Sequence, residues 1–411
     1  MTAAPERVIA FKEVRDHGWI VVGDDVYDIS KFAAKHPGGP EISQLRGGDA
    51  TFHLINAHGV RGELPNLPKK LRIGTIDAKT LKPIDRDLRA VWADLRARGM
   101  FHYKRWWLAL DLLRGLGFFV CGWLLLDVLP IAAFFALLVG RLNVMWWVHD
   151  ACHDSVFLDR AVARRWAEMM SILFVGTTVL DYQYVVHRVH HGFTNTVGAD
   201  QAIETGPVVW HQLMRARTSD TFLPIQSWFW FLVVLPLTLP YFIYIGAVHT
   251  IREREWLKLV GVTARWTIAL WLFSDHLVVF LGSSFLAAYL LGLTASLNHF
   301  PRPMATTTDW NFARSVTVVT QNLTARNRVS AWLLGGLVFH IEHHFFATMP
   351  RRNLRKISGD IRAFCRRHGL QYTMVSTPKA VTGLWKKLRD PYEDNAPPFR
   401  PSMDAHDAKW R

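Results

Sequence analysis

Residues 130–153 read PIAAFFALLVGRLNVMWWVHDACH, an apolar run that ends in two histidines. The part 130–148 is long enough to cross a hydrocarbon layer of about 30 Å, because a helix rises about 1.5 Å per residue. His149 and His153 follow four positions apart and therefore lie on one face of a helix. The stretch predicts a membrane-spanning helix that carries a pair of imidazoles at one end.

Three more apolar runs have a similar length, at 106–127, 262–281 and 283–300. With 130–148 they predict four transmembrane helices in two hairpins, which turn at Asp127–Pro130 and at Gly282–Ser284. Neither turn holds Lys or Arg, so the positive-inside rule places both turns on the non-cytosolic side. A fifth run, 222–248, is interrupted by prolines, and we expect it to be interfacial or re-entrant.

The composition fits a chain in which membrane runs alternate with soluble parts. Half of the 411 residues are apolar, while 20% are charged. The net charge of +14 lies almost wholly after Lys79 and borders the apolar runs, which indicates positive-inside topology and argues against nucleic-acid binding. Three separated cysteines predict no disulfide framework, and the start MTAAPERVIAF shows no signal peptide, so we expect a cytosolic N-terminus.

The first part of the chain, 7–76, predicts a small soluble α+β domain. Its apolar stretches Trp19–Val22 and Val26–Ile29 are separated by a Gly-Asp-Asp turn, which favours an antiparallel pair of strands. Polar helical pieces follow this pair.

The rest of the chain divides into three parts. Residues 77–105 form a linker, in which 84–100 predict an amphipathic helix leading into the bilayer. Residues 106–389 predict an all-α integral membrane domain, with interfacial helices and a cytosolic cap beside the four spans. Residues 390–411, rich in Pro and charge, predict a loose tail.

Three histidine clusters lie at the predicted cytosolic ends of the membrane segments: His149 and His153; His187, His190 and His191; His340, His343 and His344. Spacings of three and four residues put side chains on one helix face, so we expect each cluster to offer two or three imidazoles to one centre. Structural zinc takes four ligands, usually including thiolates, whereas imidazole-rich sites also suit iron. A pair of irons can share eight such ligands.

The soluble domain carries a separate histidine pattern. The string VYDISKFAAKHPGGPEI from Val26, followed by GGDATFHLINAHG from Gly47, resembles the haem-binding core of the cytochrome b5 family. The resemblance implies that His36 and His58 are the axial ligands of a b-type haem. Two axial imidazoles leave no open position for O2, so this domain is expected to carry electrons. His53 is interpreted as a core or haem-edge residue.

The three histidine clusters are called the first, second and third box in chain order. Together with the strings HHGFTN and HIEHHFFATMPRRNL, they are similar to those of the membrane fatty acid desaturases. The fused cytochrome b5 domain resembles the front-end acyl desaturases and their sphingolipid relatives. The resemblance implies an O2-dependent di-iron enzyme that introduces a cis double bond into a fatty acyl chain, with electrons supplied by the haem domain.

The resemblance also implies partners and a location. A separate NADH-dependent cytochrome b5 reductase is expected, because the chain has no nucleotide-binding GxGxxG. The other partners are a fatty acyl lipid and the bilayer. The haem domain and the boxes should face the cytosol, at the endoplasmic reticulum in a eukaryote or the inner membrane in a bacterium.

One position departs from the front-end pattern. Front-end members usually begin the third box with Gln, whereas this chain has His340, as in stearoyl-type members, so we expect it to bind iron directly. Resemblance to stearoyl-type members also makes His299 a ninth ligand.

Three carboxylates next to the boxes, Asp150, Asp154 and Glu342, are candidates for orienting the rings. His276 is excluded because it is predicted on the opposite side of the bilayer.

Three alternatives remain open from the sequence. The same scaffold fits a sphingolipid long-chain-base desaturase or a fatty acyl hydroxylase. A haem-bearing membrane electron-transfer adaptor, which is not an enzyme, accounts for the first domain but gives the three boxes no role.

Overall fold

The computed structural model describes residues 7–37, 40–178, 186–196, 199–200, 202, 223–304, 311–325 and 327–389. The predicted loose tail, 390–411, and Gly38–Gly39 of the HPGG string lie outside the described residues.

The first domain is a small α/β unit around a four-stranded sheet. Its elements are β1 Val8–Ile9, α1 Phe11–His17, β2 Ile20–Val22, β3 Asp25–Tyr27, α2 Thr51–His58 and β4 Arg72–Ile76. The strand order is β1-β4-β3-β2, in which β1 runs parallel to β4 and the other neighbours are antiparallel. The predicted hairpin is confirmed, and Gly23 turns it with a φ of 60°, a conformation that suits glycine.

Nine helices follow in the central part of the described chain: α3 Pro83–Ala97, α4 Arg105–Leu124, α5 Pro130–Cys152, α6 Arg160–Met170, α7 Arg188–Phe193, α8 Leu223–Phe229, α9 Thr238–Arg252, α10 Trp256–Leu272 and α11 Leu277–His299.

Among the described residues, the helices long and apolar enough to cross a membrane are α4, α5 and the segment Ser274–His299 that contains α11. A pair of helices, Ile225–Val234 and Thr238–Arg252, is bent by 66° and adds a fourth crossing if the pair is one span. The helical domain thus has three or four apolar helices, while two hairpins of four spans stay a prediction.

The second predicted turn is misplaced. The chain reverses between α10 and α11, at Phe273–His276, and Gly282–Ser284 lie inside α11. The hydroxyls of Ser283 and Ser284 donate to the Phe280 carbonyl, at 3.0 and 2.7 Å, so these polar side chains are satisfied within a helix. The actual turn holds the polar residues Asp275 and His276.

The C-terminal part surrounds the end of α11 with short elements: α12 Phe312–Val319, β5 Asn322–Thr324, α13 Arg328–Leu333, α14 His340–Phe345, α15 Arg351–Arg367, β6 Met374–Ser376 and α16 Thr377–Arg389. Strands β5 and β6 pair in parallel, so the expectation of an all-α second domain is incomplete. Strands of three residues are too short to show an alternating pattern in a sequence.

Helix α3 packs on protein, although its apolar stripe predicted an approach to the bilayer. Leu88 and Leu95 are buried in one cluster with Phe52 of α2 and with Phe345 and Ile357 of the C-terminal part. An amphipathic pattern indicates a face to be covered and not what covers it. Helix α3 therefore joins the first domain to the second.

Candidate metal centre

All nine predicted metal-ligating histidines lie in one cluster. The C-terminal ends of α5 and α11 supply His149, His153 and His299, and the remaining six lie on or beside α7 and α14. Seven of the nine are buried, while His149 and His187 are partly buried. Four segments that are distant in the chain thus converge on one interior site.

The first group within the cluster contains His149, His153, His187 and His343, whose ligand nitrogens all lie within 4.8 Å of one another. The Nε2 atom of His187 is 2.8 Å from that of His153 and 3.2 Å from that of His149. Nitrogens bound to one metal at about 2 Å each lie roughly 3 Å apart when they are neighbours. The first group therefore has the spacing of donors around a single ion.

The second group contains His190, His299 and His344, also within 4.8 Å of one another. The Nε2 atom of His299 is 3.3 Å from that of His190 and 2.7 Å from that of His340. His340 is in turn 3.2 Å from His344 through the same atoms. His340 thus lies where a fourth donor of the second group would lie.

His191 lies between the two groups. Its ring centroid is 4.5 Å from that of His153 and 4.1 Å from that of His344. Among the described residues, neither of its buried ring nitrogens has a hydrogen-bond partner, and the same is true of Nε2 of His343. Buried polar atoms usually have partners, so these nitrogens fit positions that bind a metal.

The second and third boxes each divide between the two groups, so the expectation of one centre per box is wrong for them. His187 joins the first group and His190 the second, while His343 is separated from His340 and His344 in the same way. Consecutive residues on an α-helix point about 100° apart, so positions i+3 and i+4 lie on opposite flanks of position i. This divergence lets one short helix serve two centres.

Burial favours the neutral form of six of these rings. Loss of hydration, followed by the proximity of other imidazoles, lowers the pKa well below 6.5 for six rings outside the apolar helices: His153, His187, His191, His340, His343 and His344. A neutral imidazole has a free lone pair for a metal, whereas a protonated one does not.

The second group is braced through its outer nitrogens. His190 Nδ1 lies 2.8 Å from the buried carboxylate of Asp200, which also accepts the Asn195 N–H. His299 Nδ1 lies 3.3 Å from the Val319 carbonyl, and His344 Nδ1 lies 3.2 Å from the Thr194 hydroxyl. Such contacts fix a ring's orientation and tautomer. Sequence reasoning missed Asp200, because an acidic loop residue has no periodic signal.

The three carboxylates proposed to orient rings mostly do something else. Asp150 pairs with Arg351 at 3.0 Å and is 3.7 Å from His149 Nδ1, beyond hydrogen-bond range. The Glu342 carboxylate accepts hydrogen bonds from the Asn322 amide and the Tyr372 hydroxyl, and the bond to Asn322 attaches α14 to β5.

Asp154, the third carboxylate, binds two arginines, Arg160 and Arg188. The prediction that Asp154 and Glu342 orient rings is therefore wrong, because both hold neighbouring segments together.

Two other histidines lie outside the nine-histidine cluster. His276 pairs with Asp127 at 2.9 Å in the turns far along the chain from the boxes. His53 is buried between Phe193 and Phe312, which confirms the interpretation as a core residue.

The predicted haem ligands also come together. His36 follows a short 3-10 turn, His58 ends α2, and their ring centroids are 5.9 Å apart at an interplanar angle of 86°. Metal–imidazole bonds of about 2 Å are compatible with one iron between these rings.

Fold and site together have the features of a membrane oxidoreductase with a fused electron-carrier domain. The family model described as "Fatty acid desaturase" matches residues 122–376, and "Cytochrome b5-like Heme/Steroid binding domain" matches residues 6–77. The chain belongs to the fatty acid desaturase family, and its first domain is cytochrome b5-like.

Several curated proteins are similar over most of their length. "Delta(8)-fatty-acid desaturase" of Euglena gracilis is 25% identical, covering 85% of this chain and 89% of that protein. "Acyl-lipid 8-desaturase" of Rebecca salina is 26% identical, covering 84% and 85%. "Delta(8)-fatty-acid desaturase 2" of Arabidopsis thaliana is 25% identical, covering 94% and 93%.

Proposed function

We propose that the nine-histidine cluster holds two iron ions, with which the chain uses O2 to introduce a cis double bond into a fatty acyl chain. The observation that carries the proposal is the division of the cluster into two groups of nitrogens, each with the spacing of donors around one ion. A single structural zinc site has no use for nine imidazoles.

The ligand assignment follows the two groups. His149, His153, His187 and His343 bind one iron, while His190, His299, His340 and His344 bind the other. His191, between the groups, completes the set. The 2.7 Å separation of His340 from His299 favours direct binding by His340, at the position where front-end members usually have Gln.

The protein holds the two irons, orients their ligands and shields the site from water. When bound, iron supplies the oxidising power that no side chain has. Overall, two hydrogens leave neighbouring carbons, and two electrons and two protons are added from outside, so that one O2 becomes two waters. Imidazole ligands, unlike carboxylates, would leave the charge of the metal uncancelled, and burial of the cluster keeps bulk water away.

The two external electrons come from the first domain. His36 and His58 would hold the b-type haem, which would supply one-electron transfer and, with both positions filled by imidazoles, no O2 activation. A separate NADH-dependent cytochrome b5 reductase restores the reduced haem after each transfer.

The chain crosses the membrane with both histidine sites on the cytosolic side. In support, α5 and α11 both end at the cluster, and the basic residues Arg351 and Arg352 begin α15 beside it. In this arrangement the haem domain is 7–76, the linker 77–105 and the membrane domain 106–389.

The substrate is the acyl chain of a lipid, desaturated at a front-end position. The names of the relatives, fatty-acid and acyl-lipid 8-desaturases, support this class.

The test is expression in yeast fed defined fatty acids, with the full chain and His343→Ala compared. We expect a new double bond only with the unchanged chain, together with about three irons per purified chain, one of them in haem. A hydroxylated product or a single iron contradicts the proposal.

A further inference from the structure

The end of helix α2 connects the two histidine sites. It carries His58 and packs on α7, the helix of His190 and His191, where Leu54 and Phe193 belong to one buried cluster. One helix of the haem domain therefore lies directly against the metal cluster.

Asn56 fixes this helix to the third box. The residue is 2% exposed, its amide nitrogen donates to the His344 carbonyl at 2.8 Å, and its amide oxygen accepts the Ala347 N–H at 3.0 Å. Both ends of the side chain thus bind backbone next to a metal-ligating residue. An apolar replacement leaves these buried groups unpaired.

Two arginines fix the last turn of α2 to the first box. Arg188 donates to the Ala57 carbonyl at 3.0 Å and to the Asp154 carboxylate at 2.6 Å. Arg160 donates to the His58 carbonyl at 2.6 Å and to the same Asp154 oxygen at 2.9 Å. Carbonyls at a helix C-terminus carry partial negative charge, which cations complement.

Asp154 is the centre of this arrangement. It is 1% exposed, adopts a φ of 53°, and directly follows His153. The haem-ligand helix is thereby tied to ligands of both metal groups, to His153 through Asp154 and the arginines, and to His344 through Asn56.

We propose that Asn56, Asp154, Arg160 and Arg188 form a docking clamp that positions the haem for electron transfer to the metal cluster of the same chain. The inference rests on the proposed function. Each transfer removes one electron from the reduced haem at His36 and His58 and delivers one to the cluster, twice per double bond. The clamp residues are positioning residues, because they act through the segments that they hold.

The test uses the purified full chain loaded with haem and iron. The haem and both irons are first reduced without O2 by dithionite titrated to three electrons per chain, and the protein is then mixed with acyl substrate and O2 while haem absorbance is followed. His343→Ala gives the background rate at which O2 oxidises the haem directly. Arg165→Ala, an exposed arginine on the same helix as Arg160, is the matched control.

We expect Asn56→Ala and Arg160→Ala to slow the His343-dependent haem oxidation by about tenfold or more, the scale on which small misplacements of reacting groups act. Haem content, haem reduction potential and iron content should equal those of the wild type, and Arg165→Ala should keep the wild-type rate. Unchanged rates in both clamp variants overturn the proposal.

If the alanine variants lose haem or iron, Arg160→Lys replaces them, since it keeps the charge but not both hydrogen bonds. It should slow the oxidation several-fold, and a wild-type rate overturns the clamp. Failure of the proposed function gives a different result, in which the wild type oxidises its haem no faster than His343→Ala.

Discussion

The two histidine sites differ in how the chain assembles them. His36 and His58 lie within one small domain, on a turn and a helix end close in sequence. The nine-histidine cluster draws on four segments, from His149 at the end of α5 to His344 in α14, and needs most of the second domain in place.

The two sites also differ in how their rings are held. Several rings of the nine-histidine cluster are held through the nitrogen that is not directed at the other rings. Asp200 holds Nδ1 of His190, and the Val319 carbonyl holds Nδ1 of His299. A site that binds one flat cofactor needs two opposed rings, whereas two ions at a short distance need many rings with defined directions. A substitution in the His36–His58 site should therefore leave the nine-histidine cluster assembled, and the reverse should also hold.

The largest expected effect separates the sites completely. His36→Ala should remove haem and abolish desaturation while the chain keeps its non-haem iron, because the cluster does not depend on that ring. His343→Ala should do the reverse, keeping haem and losing iron from the cluster. Haem absorbance and total iron per chain measure both outcomes, and loss of both cofactors in either variant contradicts independent assembly.

A smaller effect is expected at His340, the position that departs from the front-end pattern. If it binds iron, His340→Ala and His340→Gln should both lower iron affinity and activity, by about 10- to 100-fold. Iron titration and desaturation assays distinguish this from a hydrogen-bonding role. In that role, His340→Gln would keep full iron content and activity.

Asp200→Ala tests the orientation of the His190 ring without removing a metal-ligating residue. The loss of the 2.8 Å contact frees the His190 ring to rotate, and we expect about a tenfold loss of iron affinity with haem unchanged. Asp200→Asn, which still accepts a hydrogen bond, should lose less. Equal iron affinity in all three proteins would show that His190 is held by other contacts.

The smallest effect is expected at His53, which belongs to neither site. Burial lowers its pKa to about 4, and its Nδ1 has no partner among the described residues. His53→Phe should leave activity at pH 7 within about twofold, because the residue belongs to neither site and Phe keeps an aromatic ring beside Phe193 and Phe312.

His53 should also affect stability in acid. Between pH 6.5 and about 4 the unfolded chain binds a proton that the folded chain excludes, so the wild type loses stability as the pH falls through this range. Thermal unfolding at pH 7 and pH 5 should show a smaller loss for His53→Phe than for the wild type. The exposed His17→Ala, as control, should behave like the wild type.

The sequence predicted features that depend on neighbouring residues. The β2–β3 hairpin followed from its turn residues, and the convergence of nine histidines followed from box spacing with the family resemblance. Both rest on short-range geometry or on a pattern already known.

Features that depend on tertiary contacts were missed. Ser283 and Ser284 have the composition of a turn, but their hydroxyls hydrogen-bond within α11. Asp200 contacts His190, yet no sequence spacing of the two residues indicates this contact. The histidines of the second and third boxes divide between two nitrogen groups. Predicting this division requires the relative positions of all four segments, which no single segment encodes.

Helix α3 changes how the enzyme obtains its electrons. Because Leu88 and Leu95 are packed between the two domains, the segment is a rigid strut and not a free tether. A covalently attached donor held in this way has an effective concentration set by geometry, independent of how much protein the cell contains. Under the proposed function, dilution therefore leaves the internal electron supply unchanged. Under the proposed function, we expect added free cytochrome b5 not to replace the first domain, because α2 already covers this surface of the cluster.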